Sequence, residues 1–552
     1  MPARAWRWAT DVVGTRLGSL LIVAVAFGVF AVQAVGWPVA EGRDLEAYLT
    51  VYVDFWDDDP IFPWAMVTRT PVAPLLVGGI LDIGSPVVVE LFAAALFAGT
   101  ILLYTRTAQL FGTGPAVLVA VALLLYPGYG VIFHELASEI VFAVGFAIWT
   151  AVVVRAAIRP SVALFGLAGL ATALIALTRP ANQVFLVAAL LPLLLPGSWR
   201  ARLLRTVAYG GVAVALLAAW STVNLVRFDD FTVARGAGAS LPLFRGFVVD
   251  RIVHPDNGVA SREVAAAVQS ELLDEEPYRS YGIDLETFFA EGSPRMHEDL
   301  ISLSDRIWGW DSDYRTLDKA AWEGVRAHPG TYARGVLGDF WEEISQPLFA
   351  GREAPRATSG PPAETGAPQA QPAVGGGGRK LPTEGEPIPS EHQSAQLSTP
   401  DQSIREGWTS PTEHHVVFRD PSKPLHQAAN DRRMAELSAA FPDRWWSPWL
   451  GLQMDRSSKL YPPPWVWLLV GALAVAWRRP DRWWATVTPV VASLAMLLGT
   501  VMAVWAEPAY AVPVAPAFVL FAAVGLRGRR ANEAEGARTS SSARRIPFRA
   551  SR

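Results

Sequence analysis

Residues 138–180 read SEIVFAVGFAIWTAVVVRAAIRPSVALFGLAGLATALIALTRP. Two apolar runs, 138–156 and 161–178, meet at a short turn, with Arg155 at the end of the first run and Arg159 in the turn. Each run approaches the ~20 residues that a helix needs to cross the hydrocarbon core. The stretch therefore reads as a transmembrane helical hairpin. Positive residues collect on the cytoplasmic side of short loops, so the arginine turn is expected inside. The two ends, Ser138-Glu139 and Thr178-Arg179-Pro180, are then expected outside.

The same pattern extends in both directions. Further candidate spans are 17–36, 86–105, 115–133, 181–197, 206–226, 462–477, 483–505 and 509–526. Together with the hairpin they make about ten. With the N-terminus inside, Arg4, Arg7 and Arg16, then Arg106, then Arg200, Arg202 and Arg205 all fall on the cytoplasmic side. So do Arg478, Arg479 and Arg482, and the tail residues Arg527, Arg529 and Arg530. Val32-Gln33-Ala34 resembles a signal-peptidase site, but the apolar run from Leu17 exceeds the ~7–15 residues of a signal core. The first helix is therefore expected to stay attached.

Composition agrees. Of 552 residues, 51% are hydrophobic and 18% are charged, where a soluble domain carries about 25% charged residues. The absence of cysteine excludes disulfide scaffolds, thiolate metal sites and cysteine nucleophiles. A net charge of -4, with no basic domain, gives no sign of a nucleic-acid partner. Four lysines against forty-three arginines, with the Ala, Gly and Val richness, point to a GC-rich bacterial genome. The expected fold is an α-helical polytopic membrane protein with a mixed extracytoplasmic domain. Its parts are an N-terminal membrane module (1–226, with outer loop 37–85), an outer segment (227–461), C-terminal membrane helices (462–526) and a basic cytoplasmic tail (527–552). Within the outer segment, 319–345 has helical periodicity. Residues 351–412, rich in Pro, Gly, Ser, Glu and Gln, are too polar to bury a core and are expected to form a flexible insertion.

Charge at the outer helix ends suggests chemistry. In the first outer loop, Arg43-Asp44 lie a few residues past the first span, followed by Tyr48 and then Arg69-Thr70-Pro71. A carboxylate near the membrane surface can be tuned towards a useful base by desolvation. Asp54 and Asp57 to Asp59 read as hydrated loop residues; a divalent cation is conceivable there, but their spacing is not diagnostic. His134, Glu135 and Glu139 interrupt an otherwise apolar hairpin, a costly arrangement unless they face a cavity. Arg179 is the only charge between 159 and 200. Glu507 and Tyr510 occupy the last outer turn. These four places share one side of the bilayer, as expected of one outward-facing cavity for an anionic, lipid-linked substrate.

At these residues the chain resembles the bacterial GT-C superfamily of polyprenyl-phosphate-sugar-dependent glycosyltransferases. It is nearest to the protein-mannosyltransferase and aminoarabinose-transferase type (glycosyltransferase family 39). The resemblance rests on Asp44 with Tyr48, on Arg69-Thr70-Pro71-Val72-Ala73-Pro74-Leu75, on Ser138-Glu139, on Leu177-Thr178-Arg179-Pro180 and on Glu507-x-x-Tyr510. It implies that Asp44 is the general base towards the acceptor hydroxyl and that Arg69 and Arg179 grip the donor phosphate. It also implies that Arg43, Tyr48, His134, Glu135, Glu139, Glu507 and Tyr510 shape the pocket. Ala509 stands where the family often has arginine. The implied partners are a polyprenyl-phosphate-linked sugar, an envelope acceptor and the lipid bilayer, with no certain cofactor. The implied site is the outer face of the plasma membrane. A transporter or flippase, an assembly scaffold, and a glycan polymerase or ligase remain competing classes.

Overall fold

A computed structural model describes residues 2–236, 240–291, 296–312, 314–346, 398–408 and 414–527. Among the described residues, five helices are long and apolar enough to cross a bilayer: Arg16–Gly36, Pro86–Gln109, Ser138–Ile158, Trp199–Phe228 and Trp483–Ala503. The other five expected spans fall on shorter apolar helices at Thr113–Leu124, Val162–Ala176, Pro180–Leu194, Pro464–Arg478 and Val512–Gly525. The protein is a helical polytopic membrane protein.

Proline explains most of the shortening, because its ring removes a helical N–H and clashes with the preceding turn. The expected span 115–133 breaks at Pro127, giving Thr113–Leu124 and Pro127–Val131. The expected span 181–197 begins with Pro180 as a 3-10 run, Pro180–Leu190, and ends in Leu191–Leu194. A 3-10 helix rises ~2.0 Å per residue, so this short segment reaches further than its length suggests. Likewise the helical pattern over 319–345 is two helices, Arg315–Ala327 and Pro329–Ser345, split before Pro329.

The hairpin quoted above is fixed by buried polar contacts. Trp149 Nε1 donates to Thr172 Oγ1 at 2.9 Å and to Tyr209 Oη at 3.0 Å, and the two hydroxyls lie 2.6 Å apart. This joins Ser138–Ile158, Val162–Ala176 and Trp199–Phe228, with every group satisfied inside the apolar bundle. Gly169 lets the last two helices approach closely, since a Cβ there would collide with the Tyr209 carbonyl.

The loop 37–85 contains more structure than its sequence suggested. It holds the helices Leu45–Val53, Pro63–Thr68 and Val72–Leu81. The last is apolar, but ten residues span only ~15 Å, about half a bilayer core. A two-residue parallel bridge pairs Ala40 with Glu135 and Glu41 with Leu136.

Beyond the membrane module, residues 243–321 form their own core around Phe247, Val264, Phe288, Leu300 and Leu317. The helices between residues 423 and 458 instead pack back on the apolar helices. Leu437 joins the main core, and Ser447 N donates to Val35 O at 2.8 Å. Most of the insertion expected at 351–412 lies outside the described residues. Part of it is ordered: Ile404–Trp408 pairs antiparallel with His414–Phe418. The expected tail, apart from Arg527, also lies outside the described residues.

Candidate active site at the outer helix ends

Three backbone connections bring the sequence-predicted residues together. First, Ala40 N donates to His134 O at 3.0 Å and Gly42 N to Leu136 O at 3.2 Å, docking the start of the first loop beside Ser138-Glu139. Gly42 is required by the closeness of that approach, because a Cβ would sit 2.6 Å from the Ala137 Cβ. Second, Val72 N donates to Leu177 O at 3.0 Å, joining the Arg69-Thr70-Pro71 turn to the Arg179 junction. Third, Glu507 N donates to a Glu343 carboxylate oxygen, tying the turn at Glu507 to the helix Pro329–Ser345. Arg179 and Glu507 each precede a proline and are extended, as pre-proline sterics favour.

Asp44 stands at the start of Leu45–Val53 with φ 60°, and its side chain makes no capping hydrogen bond. The left-handed backbone is one that aspartate tolerates better than most residues. Its carboxylate lies 3.5 Å from the Arg69 guanidinium. The two side chains are 45% and 31% exposed, so the desolvation expected for Asp44 is not what the structure gives it. No hydrogen bond accompanies this ion pair among the described residues. Arg69 instead lies over the Tyr48 ring, 5.4 Å from its centroid, which leaves its N–H fork available.

Behind this pair, Arg179 donates to Glu139 at 3.0 Å and lies 5.4 Å over the Tyr510 ring. Burial works against the Arg179 charge, but Glu139, Tyr48, Tyr510 and Asp44 outweigh it and hold the guanidinium above the ordinary arginine value. Tyr48 is buried, which pushes its phenol up, while Arg69 and Arg179 pull it back. Arg43 pairs with Glu507. The electrostatic neighbourhoods of Arg43, Tyr48 and Arg179 overlap. Asp44, Arg69, Glu139 and Arg179 are thus neighbours, although 135 residues of chain separate the first from the last.

One of the expected pocket residues is taken up by the core. His134 is fully buried, stacked on Phe30 with ring centroids 4.1 Å apart and tilted 6.5 Å from Trp37. It belongs to the core, where its flat ring packs like an aromatic. Glu135 is half-buried and contributes backbone to the parallel bridge. Conversely, Glu343 was missed. Its side chain is 2% exposed, and its carboxyl is pushed up to about 8. Burial is the main cause; the Glu507 N–H opposes it and the Glu507, Glu342 and Asp339 charges add to it. Only its place in an otherwise amphipathic helix hinted at it. A cavity of about 570 Å³ lies elsewhere, between Met296–Trp308 and the β-hairpin, lined by Asp299, Arg306, Arg405 and Arg419 among others.

Residues 68–223 match the family model of dolichyl-phosphate-mannose-protein mannosyltransferases. The matched segment contains Arg69, Glu139 and Arg179, and it ends before the outer segment. The match covers a little over a quarter of the chain and supports its likeness to GT-C membrane glycosyltransferases. No curated protein and no solved structure matches the chain.

Proposed function

We propose that the protein transfers a sugar from a polyprenyl phosphate to a hydroxyl of an extracytoplasmic envelope acceptor, with inversion at the anomeric carbon. The observation that carries this reading is the Asp44–Arg69 pair: an accessible carboxylate 3.5 Å from a guanidinium that makes no hydrogen bond to it. A carboxylate next to a phosphate-binding cation is what the reaction needs. The acceptor hydroxyl must lose a proton as it attacks, and the departing lipid phosphate must have its charge met.

In this reading Asp44 takes the hydroxyl proton. Arg69 receives the phosphate through its planar fork. Arg179, held in place by Glu139 and Tyr510, adds a second positive charge. Tyr48 provides the surface against which Arg69 is oriented, and the Arg43–Glu507 pair closes the side towards the outer segment. One displacement at carbon breaks the bond to phosphate oxygen and forms the bond to the acceptor oxygen, which inverts the centre. Because the donor phosphate is a good leaving group, positioning and charge carry the catalysis. The arginine-rich inner loops support a cytoplasmic N-terminus and a site on the outer face of the plasma membrane. The outer segment, including the 570 Å³ cavity, supports acceptor selection there.

The test is transfer in proteoliposomes from a radiolabelled polyprenyl-phosphate sugar. Asp44→Asn is expected to lower turnover by ~10²–10⁴-fold, the usual worth of a general base, while donor binding stays near that of the native protein. Retention of full turnover would remove Asp44 from its role.

A further inference from the structure

The acidic run of the first outer loop reads as hydrated from its sequence, yet Asp54 is only 2% exposed. Its cover comes from far along the chain. His426, on the helix Lys423–Ser438, places Nε2 3.3 Å from Asp54 Oδ1 and 3.3 Å from Asp57 Oδ2. The ligand atoms of the three side chains lie within 4.8 Å of one another.

A protonated imidazole bridging two carboxylates would sit at ~2.7–2.9 Å along an N–H direction. Here the imidazole faces both oxygens at longer range, and neither contact is a hydrogen bond among the described residues. The spacing suits a different chemistry. Ligand atoms at 2.0–2.1 Å around a tetrahedral zinc are separated by ~3.3–3.4 Å.

Both carboxylates also accept hydrogen bonds. Asp57 Oδ1 accepts the Asp59 N–H at 2.9 Å, leaving Oδ2 turned to His426. Asp54 Oδ2 accepts the Ile61 N–H at 3.0 Å, and Asn430, one turn beyond His426, donates to Asp54 Oδ1 at 2.5 Å. Such outer hydrogen bonds orient metal ligands. Of the nearby cations, Arg227 donates to the backbone carbonyls of Phe55 and Asp57 and places its charge within reach of Asp54 and Asp57, and Lys423 pairs with Asp59 at 2.7 Å.

We infer that Asp54, Asp57 and His426 bind one zinc-class divalent cation that clamps the first outer loop to the helix Lys423–Ser438. The donor set, one imidazole and two carboxylates, leaves a fourth position for water. The clamp is structural with respect to the transfer chemistry. Asp54 closes the far end of the helix that Asp44 opens, ~15 Å away at 1.5 Å per residue. A metal there would hold that helix against the outer segment, and with it the backbone that presents Asp44.

The test uses the full-length, tag-free protein in detergent, stripped with a chelator and titrated with zinc chloride alone, without sugar donor. One zinc per chain by elemental analysis is expected, with a rise in melting temperature. His426→Ala and Asp57→Asn should each weaken zinc binding at least tenfold and abolish the thermal shift. Both side chains are partly exposed, so both variants are expected to fold. Absence of stoichiometric zinc in the native protein would overturn the site. So would undiminished binding in His426→Ala, or binding of magnesium and calcium in preference to zinc. Because no transfer is measured, failure here leaves the glycosyltransferase reading untouched, and the reverse also holds.

Discussion

Replacing Glu343 by glutamine gives a direct test of how the outer segment is joined to the site. One Glu343 oxygen accepts the Glu507 N–H, and the other, Oε2, is buried without a hydrogen-bond partner among the described residues. The carboxyl is therefore held neutral in the fold up to about pH 8, whereas its ordinary value is 4.5. Between these two values the folded protein keeps a proton that the unfolded chain has lost. The sign follows from linkage: this contribution is complete below pH 4.5 and drains away as pH rises to about 8. At ~1.4 kcal/mol per pH unit for one proton, the drain amounts to on the order of 5 kcal/mol.

Glutamine keeps the acceptor oxygen for Glu507, carries no charge at any pH and places a donor where the unpaired oxygen sits. Melting temperatures of the purified native and Glu343→Gln proteins, followed by tryptophan fluorescence from pH 5 to 9, supply the measurement. The two proteins share every other titrating group, so their difference isolates this one. The native protein should lose several degrees relative to the variant across pH 5–8, leaving the variant the more stable at pH 9. Parallel pH profiles, or a variant that melts lower at pH 9, would refute the argument that burial keeps Glu343 neutral.

Other consequences can be measured separately. Arg69→Ala should weaken binding of a polyprenyl phosphate by ~10–100-fold, the worth of ~1.5–3 kcal/mol for a charged hydrogen bond, read by equilibrium binding in detergent. Gly42→Val forces a Cβ against Ala137 and should push the Asp44 backbone away from Glu139; a fall in turnover of at least tenfold with the melting temperature lowered by only a few degrees is expected in the proteoliposome assay. Trp149→Phe removes the indole donor but leaves Thr172 and Tyr209 paired with each other. Its cost should resemble that of other interhelical bonds in membranes, about 0.6–1.7 kcal/mol, seen as a modest loss of thermal stability without loss of transfer.

The positions of the apolar helices were legible from the chain because they follow from local sums. Hydropathy over a window decides partition into a bilayer, and Pro127, Pro180 and Pro329 decide where helices start or break. The places of Asp44, Arg69 and Arg179 were likewise visible as charges stranded at helix ends. What the sequence could not contain was their partners. It placed His134 in the pocket, whereas the fold stacks that ring on Phe30. It treated Asp54 as hydrated, whereas the fold buries it under a helix that arrives 372 residues later. It passed over Glu343, whose carboxyl is governed by its burial and by Glu507, 164 residues away.

The division has a physical cause. Helix formation and membrane partition add up over neighbouring residues, so sequence alone determines them. Charge interactions depend on separation in space and on local polarity, and a proton or a metal is held only by groups that converge. Which carboxylate meets which arginine, and which stays neutral, was therefore decided only when the tertiary structure brought distant segments to the same few ångströms.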